Sequence, residues 1–125
     1  MQAVSVVIIT RNEAHLLAQT LQSVKLLSDD IVVCDTGSSD ATIPIALKNG
    51  AVVIEEDWVG YGQTKNMANE RAVYDWILQL DADEAIDNEL LQSILALDLK
   101  DEKQVFTVHR KNFFKDKHIR FGEWW

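Results

Sequence analysis

The stretch from Trp76 to Glu84 narrows the choice of fold more than any other part of the chain. Trp76-Ile77-Leu78-Gln79-Leu80 is mostly apolar and runs straight into Asp81-Ala82-Asp83-Glu84. The apolar half reads as a short buried strand. Unpaired carboxylates are too costly in a dry interior to continue it. The strand is therefore expected to end at Leu80 or Asp81, with the acids at its carboxyl edge, where open α/β sheets bind ligands. Asp81 and Asp83 converge on one hard cation if the backbone turns at Ala82. The same string also reads as a solvated acidic turn that opens the next helix, and only the rest of the chain discriminates.

Three similar runs precede it. Ala3 to Thr10 is β-branched and apolar, reads as a central buried strand and is ended by Arg11-Asn12-Glu13. Ile31 to Cys34 is a second strand, running into the small acidic loop Asp35-Thr36-Gly37-Ser38-Ser39-Asp40. Ala51 to Ile54 is a third, ended by Glu55-Glu56-Asp57. Helical patterns lie between. Leu17, Leu21 and Val24 recur at helical spacing, Ala14, Ala18 and Leu27 widen the stripe, and Ser28-Asp29-Asp30 breaks it. Ser39 or Asp40 suits the N-cap of a second helix, which Pro44 delays and Asn49-Gly50 stops. Gly60-Tyr61-Gly62 reads as a flexible turn before a helix from Gln63 to Val73, with Ala68 and Ala72 facing inward. Asp87 suits the N-cap of a fourth helix carrying Leu90, Leu91, Ile94, Leu95 and Leu97, and Gln104 to His109 alternates like a strand. Arg110 to Trp125 is basic and aromatic with no clear period.

Strands alternating with helices predict an α/β fold, a mostly parallel sheet with helices on both faces. Right-handed crossovers put the ends of strands one, two and four on one edge. Thr10, Arg11 and Glu13 then lie near Asp35, and all of them near Asp81 and Asp83. Three polar clusters from distant sequence meeting at one rim indicate a site, which a random acidic turn does not.

The 125 residues are 47% hydrophobic and 26% charged, enough for one domain with a real core. A net charge of −8 argues against general nucleic-acid binding. Residues 1–99 hold five Lys/Arg against sixteen Asp/Glu, whereas residues 100–125 hold seven against four. That basic end reads first as a solvated face; it also suits an anionic substrate or peripheral contact with a membrane surface. The lone Cys34 allows no intrachain disulfide and fits a reducing compartment. The run Val6 to Ile9 is too short to span a bilayer and lacks the basic flank of a signal peptide, so a cytoplasmic protein is expected. His15, His109 and His118 lack metal-ligand spacing, and Ser38 and Ser39 suit turn or cap duty. Phe106, Phe113, Phe114 and Phe121 interleave with basic residues and are read as packing groups.

In order and spacing, three segments resemble the successive signatures of family 2 inverting glycosyltransferases. They are Val6-Val7-Ile8-Ile9-Thr10-Arg11-Asn12-Glu13, then Ile31-Val32-Val33-Cys34-Asp35-Thr36-Gly37-Ser38-Ser39-Asp40-Ala41-Thr42, then Leu78-Gln79-Leu80-Asp81-Ala82-Asp83-Glu84. Gly62-Gln63-Thr64-Lys65-Asn66 fits as well, and Gly122-Glu123-Trp124-Trp125 is similar to a segment of the lipopolysaccharide-core β-glucosyltransferase-like branch. The resemblance implies a GT-A fold, Rossmann-like, that binds a nucleoside-diphosphate sugar, usually a UDP-sugar, with Mg²⁺ or Mn²⁺. It implies that Thr10, Glu13 and Asp35 hold the base and ribose, that Lys65 lies near the nucleotide, that Asp81 lies near the ribose and the metal, and that Asp83 ligates the metal. The implied acceptor is a saccharide or glycolipid of the cell envelope. A departing diphosphate builds negative charge, which a hard cation held by one or two carboxylates stabilises.

The family's catalytic base lies well downstream of the metal motif, and its surroundings are missing here, so the base is expected beyond residue 125. Residues 1–125 are accordingly expected to form a single donor-binding domain, the N-terminal part of a longer enzyme. Trp124 and Trp125 fit a cut there, since two large apolar side chains at a terminus call for covering chain, or for homodimerisation. A non-catalytic nucleotide-sugar-binding module is the alternative. A receiver-type domain phosphorylated on Asp35 fits poorly, because strand two is an uncomfortable place for that aspartate.

Overall fold

A computed structural model describes residues 1–99 together with the short strands 112–114 and 117–119. Four strands, β1 (Val4–Thr10), β2 (Asp30–Asp35), β3 (Val52–Glu55) and β4 (Trp76–Asp81), form one parallel sheet in the order β3-β2-β1-β4. Four helices alternate with them: α1 (Ala14–Val24), α2 (Thr42–Lys48), α3 (Tyr61–Asn69) and α4 (Asn88–Leu95). This is the expected α/β alternation. The chain builds outward from β1 through β2 to β3, then returns to place β4 on the other side of β1. The strand order therefore reverses between β1 and β4.

The period of two along β1 divides the core. Val6 and Ile8 face Leu17, Leu21 and Val24 of α1, together with Ala46 of α2 and Leu91 and Ile94 of α4. Val7 joins Val32, Cys34 and Ile54 under Ala68 of α3 on the opposite face. Helices thus cover both faces. Ala18 is exposed, and Thr20 takes its place on the inner stripe of α1. At the amino edge a buried polar knot ties the strands. Ser5 Oγ donates to Asp30 Oδ2 at 2.6 Å, the Val73 N–H donates to the same oxygen at 2.8 Å, and the Tyr74 N–H donates to Ser5 Oγ at 3.0 Å. Asp30 therefore opens β2 from inside the fold, one residue before the apolar run.

Several boundaries differ from those the sequence suggests. β4 is half-buried along Trp76 to Leu80, an edge strand of the described sheet, where burial on both sides is expected from its composition. Gly60-Tyr61-Gly62 is no flexible turn. Gly60, at φ 98°, is the N-cap, and Tyr61 and Gly62 start α3, which ends at Asn69 and leaves Ala72 outside it. The N-cap position of α2 is Ala41, with Asp40 accepting from the Thr42 N–H at 2.9 Å just before it. Pro44 falls in the first turn, as its missing N–H requires. Gly50, at φ 81°, closes α2: its N–H bonds to the Leu47 carbonyl, and the Ala51 N–H bonds to the Ala46 carbonyl. Asp87 caps α4 by accepting from the Leu90 N–H at 2.8 Å. The strand expected at Gln104–His109 lies outside the described residues. In the aromatic end, β5 (Asn112–Phe114) and β6 (Lys117–Ile119) pair antiparallel in a sheet of their own. No helix of the described residues is long and apolar enough to cross a membrane.

Leu21 is fully buried against the sheet, whereas Leu26, just past the same helix, is 70% exposed. Leu21→Ala is expected to cost about 2–5 kcal/mol and Leu26→Ala less than about 0.5 kcal/mol, read from urea midpoints.

Candidate functional site

Register decides what meets at the carboxyl edge. Thr10 is paired with Asp35, Ile9 with Asp81, and Asp35 with Glu55. The three polar segments therefore end at one level, around the position where the strand order reverses. An open cleft of about 360 Å³ lies there, lined by Ile9, Thr10, Arg11, Glu13, Thr36, Trp58, Tyr61 and Asp81. A smaller hollow beside it is bounded by Lys65, Gln79, Asp81 and Glu84. Asp81 belongs to both.

The loop after β2 is built on one carboxylate. Asp35 is 1% exposed and accepts four hydrogen bonds. Thr10 Oγ1 (2.8 Å) and Ser38 Oγ (2.5 Å) donate to Oδ1; the Gly37 N–H (3.1 Å) and the Ser38 N–H (2.8 Å) donate to Oδ2. Burial pushes its pKa up, but the hydrogen bonds from Ser38, Thr10 and Gly37 outweigh this and hold it below the ordinary value of 3.8. Gly37, at φ 116°, lets the backbone curl round those oxygens. Asp35 thus stands at the rim where the motifs suggest, with its lone pairs taken by its own loop and by Thr10 of β1.

That loop is stitched to the one after β1. The Asn12 N–H donates to Ser38 Oγ (2.8 Å), and Asn12 Oδ1 accepts from the Ser39 N–H (2.8 Å). Asn12 adopts a left-handed φ of 54°, which asparagine tolerates better than most residues. The Glu13 N–H donates to Thr42 Oγ1 (2.9 Å), and the Ala14 N–H to Asp40 Oδ2 (3.2 Å). The first backbone donors of α1 are therefore satisfied by the start of α2 rather than by a local cap. Thr42 Oγ1 in turn donates to Asp40. These hydrogen bonds, led by the one from Thr42, hold Asp40 below its ordinary pKa.

The acidic turn is pinned from behind. Ala82 is buried, and its carbonyl accepts from Thr20 Oγ1 of α1 at 2.7 Å. The Asp81 N–H donates to Glu84 Oε1 (2.8 Å), and the Glu84 N–H returns to the Asp81 carbonyl (3.0 Å). Asp81 and Asp83, on either side of the anchored alanine, are both exposed. Asp83 lines neither hollow. Among the described residues no three His, Cys, Asp or Glu converge. Two exposed carboxylates on a fixed turn fit a hard cation that keeps waters and takes its remaining oxygens from a phosphate-bearing ligand; they do not fit an all-protein cage.

Thr10, Glu13 and Asp81 line the cleft, Lys65 lines the adjoining hollow, and Asp35 lies behind them. The residues that sequence reasoning missed are Thr36, Trp58 and Tyr61. Trp58 and Tyr61 are 51% and 55% exposed, with ring centroids 6.3 Å apart, and Lys65 Nζ sits 4.9 Å from the centre of the Tyr61 ring. The available signal was a tryptophan placed between three acids and a glycine pair.

The sequence model of glycosyl transferase family 2 matches residues 5–124. The chain belongs to glycosyl transferase family 2. An uncharacterized glycosyltransferase of Rickettsia prowazekii is 38% identical over 120 residues, 96% of this chain and 38% of that protein. The lipopolysaccharide core biosynthesis glycosyltransferase LpsC of Rhizobium meliloti is 33% identical over 100 residues, 74% of this chain and 37% of that protein. Glucosyl-3-phosphoglycerate synthase of Mycobacterium tuberculosis, crystallised with UDP, superposes with a TM-score of 0.59 at 25% identity over 65% of this chain and 34% of its own. The chain spans somewhat more than a third of these proteins' length. Its sheet is that of the GT-A fold glycosyltransferases.

Because the folded-state pKa of Asp35 is depressed, its contribution to stability is complete above pH 3.8 and is lost as pH falls through the lower folded value. Asp35→Asn is expected to flatten the acid limb of the stability profile below about pH 4, and at neutral pH to lower stability by about 1–3 kcal/mol, because an amide cannot accept all four bonds. Urea midpoints across that range, compared with wild type, check both.

Proposed function

We propose that this chain is the donor-binding part of a glycosyltransferase that moves a sugar from a nucleoside-diphosphate sugar, a UDP-sugar, to a saccharide or glycolipid acceptor of the cell envelope, with inversion at the transferred carbon. The observation that carries the reading is the register placing Thr10, Asp35 and Asp81 at one level around a cleft at the strand-order reversal. The UDP held by the mycobacterial synthase supports the nucleotide, and the similarity to LpsC supports a lipopolysaccharide or related envelope acceptor.

In this reading Thr10, Glu13 and the loop anchored by Asp35 hold the nucleoside, and Lys65 faces the phosphates beside Asp81. Asp81 and Asp83 hold Mg²⁺ or Mn²⁺, which when bound would stabilise the charge on the departing diphosphate. The bond from Thr20 to the Ala82 carbonyl fixes the backbone between the two carboxylates. Inversion requires a carboxylate to take the acceptor's proton. We assign that base to the part of the enzyme beyond residue 125, in keeping with relatives nearly three times as long as the stretch they share with this chain. The buried free thiol of Cys34, whose pKa burial and then Glu56 and Asp35 push up, suits the reducing cytoplasm.

Calorimetric titration of UDP with and without Mn²⁺ tests the reading. Wild type is expected to bind UDP tightly only with the metal. Asp83→Asn should reduce binding to the metal-free level, and Asp75→Asn, exposed at the opposite end of β4, should leave it unchanged. Equal effects of the two substitutions would show that the site is misplaced.

A further inference from the structure

We infer that Trp58 and Tyr61 form the wall on which the donor's nucleobase stacks; the inference rests on the donor-binding reading and assigns its base-binding residues. Both side chains are half-exposed and line the main cleft together with Thr10, Glu13 and Thr36. Half-exposed aromatic rings on a cleft wall leave apolar faces in water that a planar ligand can cover. The cleft has a direction set by charge. Glu55, Glu56 and Asp57 immediately precede Trp58 and are all exposed, so the chain flanking Trp58 disfavours phosphates, while the cation of the cleft lining is Arg11. Lys65 lines the adjoining hollow together with Asp81 and Glu84, a mixed-charge end that suits a diphosphate accompanied by a divalent cation. Of the uncharged parts of a nucleoside diphosphate, the base and the ribose, only the base offers a flat aromatic surface to stack on the exposed rings at the Trp58 end.

The wall is held in place. Gly60, at φ 98°, turns the chain between the two aromatics, the Val59 N–H donates to Thr64 Oγ1 at 3.2 Å, and Thr64 is fully buried. Tyr61 is fixed by the first turn of α3, and one side of its ring is occupied by Lys65 Nζ. A cation over one face and a base against the other are compatible, since the ring presents two faces. Arg11, Glu13 and Thr36 supply donors and acceptors around the cleft for the polar edge of the base. The three preceding acids argue against a membrane contact for this aromatic pair, because anionic headgroups would be repelled.

The test titrates UDP in the presence of Mn²⁺ against the full chain and its Trp58→Ala, Tyr61→Ala and Tyr61→Phe variants. Calorimetry is combined with NMR of the uracil H5 and H6 protons, and circular dichroism confirms that each variant is folded. Each alanine substitution is expected to weaken binding by about 5- to 100-fold, whereas Tyr61→Phe retains it. The uracil protons should move upfield on binding to wild type and less so with Trp58→Ala. Wild-type binding with both folded alanine variants within about twofold would overturn the stacking wall and leave the donor site standing. Unchanged UDP affinity with lost sedimentation on vesicles of phosphatidylethanolamine and phosphatidylglycerol would also overturn it, making the pair a membrane contact. Failure of wild type to bind UDP at all would defeat the donor-binding reading itself, and the base wall with it.

Discussion

β1 is hydrogen-bonded along both edges, to β2 on one side and β4 on the other, and the site follows from that double pairing. Side chains on a strand alternate between faces, so a slip of one residue in either ladder would exchange the side chains packed under α1, α2 and α4 with those packed under α3. The all-apolar stretch Val6 to Ile9 suits a strand covered on both faces, by α1, α2 and α4 on one side and α3 on the other. Fixed register then brings Asp35 level with Thr10, and Asp81 level with Ile9. No side chain has to reach for the rim; the ladder delivers it there.

Rigidity behind the rim has two sources of the same kind. In each, a buried or anchored group holds a loop so that its neighbours can face outward. Asp35 gathers hydroxyls and N–H groups from its own loop and from β1, at a desolvation cost that four hydrogen bonds outweigh. Thr20 clamps the Ala82 carbonyl, and the acids on either side remain exposed. The division of labour follows charge. The carboxylate most deeply buried is the one with its lone pairs filled, and the carboxylates left in water are those with the capacity to meet a cation.

Much of this was legible in the chain. The β-branched runs, the helical spacing of Leu17, Leu21 and Val24, the Asn49-Gly50 stop and the Asp87 cap all appear where periodicity and cap chemistry put them. Boundaries were read less well wherever a distant group did the work of a local one. α1 starts without a side-chain cap of its own because Asp40 and Thr42 satisfy its donors. β2 begins at Asp30 because Ser5 and the Val73 N–H make burial of that carboxylate tolerable. The glycine pair around Tyr61 suggested flexibility, but Gly60 in its left-handed conformation caps a helix instead.

The sequence by itself determined the class of fold and the polar segments that terminate its strands. Both depend on short-range rules: a period of two or 3.6, and the cost of continuing an apolar strand into carboxylates. The tertiary structure decided which of those polar groups are available. It closed the lone pairs of Asp35, left Asp81 and Asp83 in solvent, and brought Trp58 and Tyr61 into the lining of the same cleft as Thr10. Two of the contacts behind those outcomes, Thr10 to Asp35 and Thr20 to Ala82, join residues 25 or more positions apart, and no local pattern encodes whether a carboxylate meets a hydroxyl from a neighbouring strand or water.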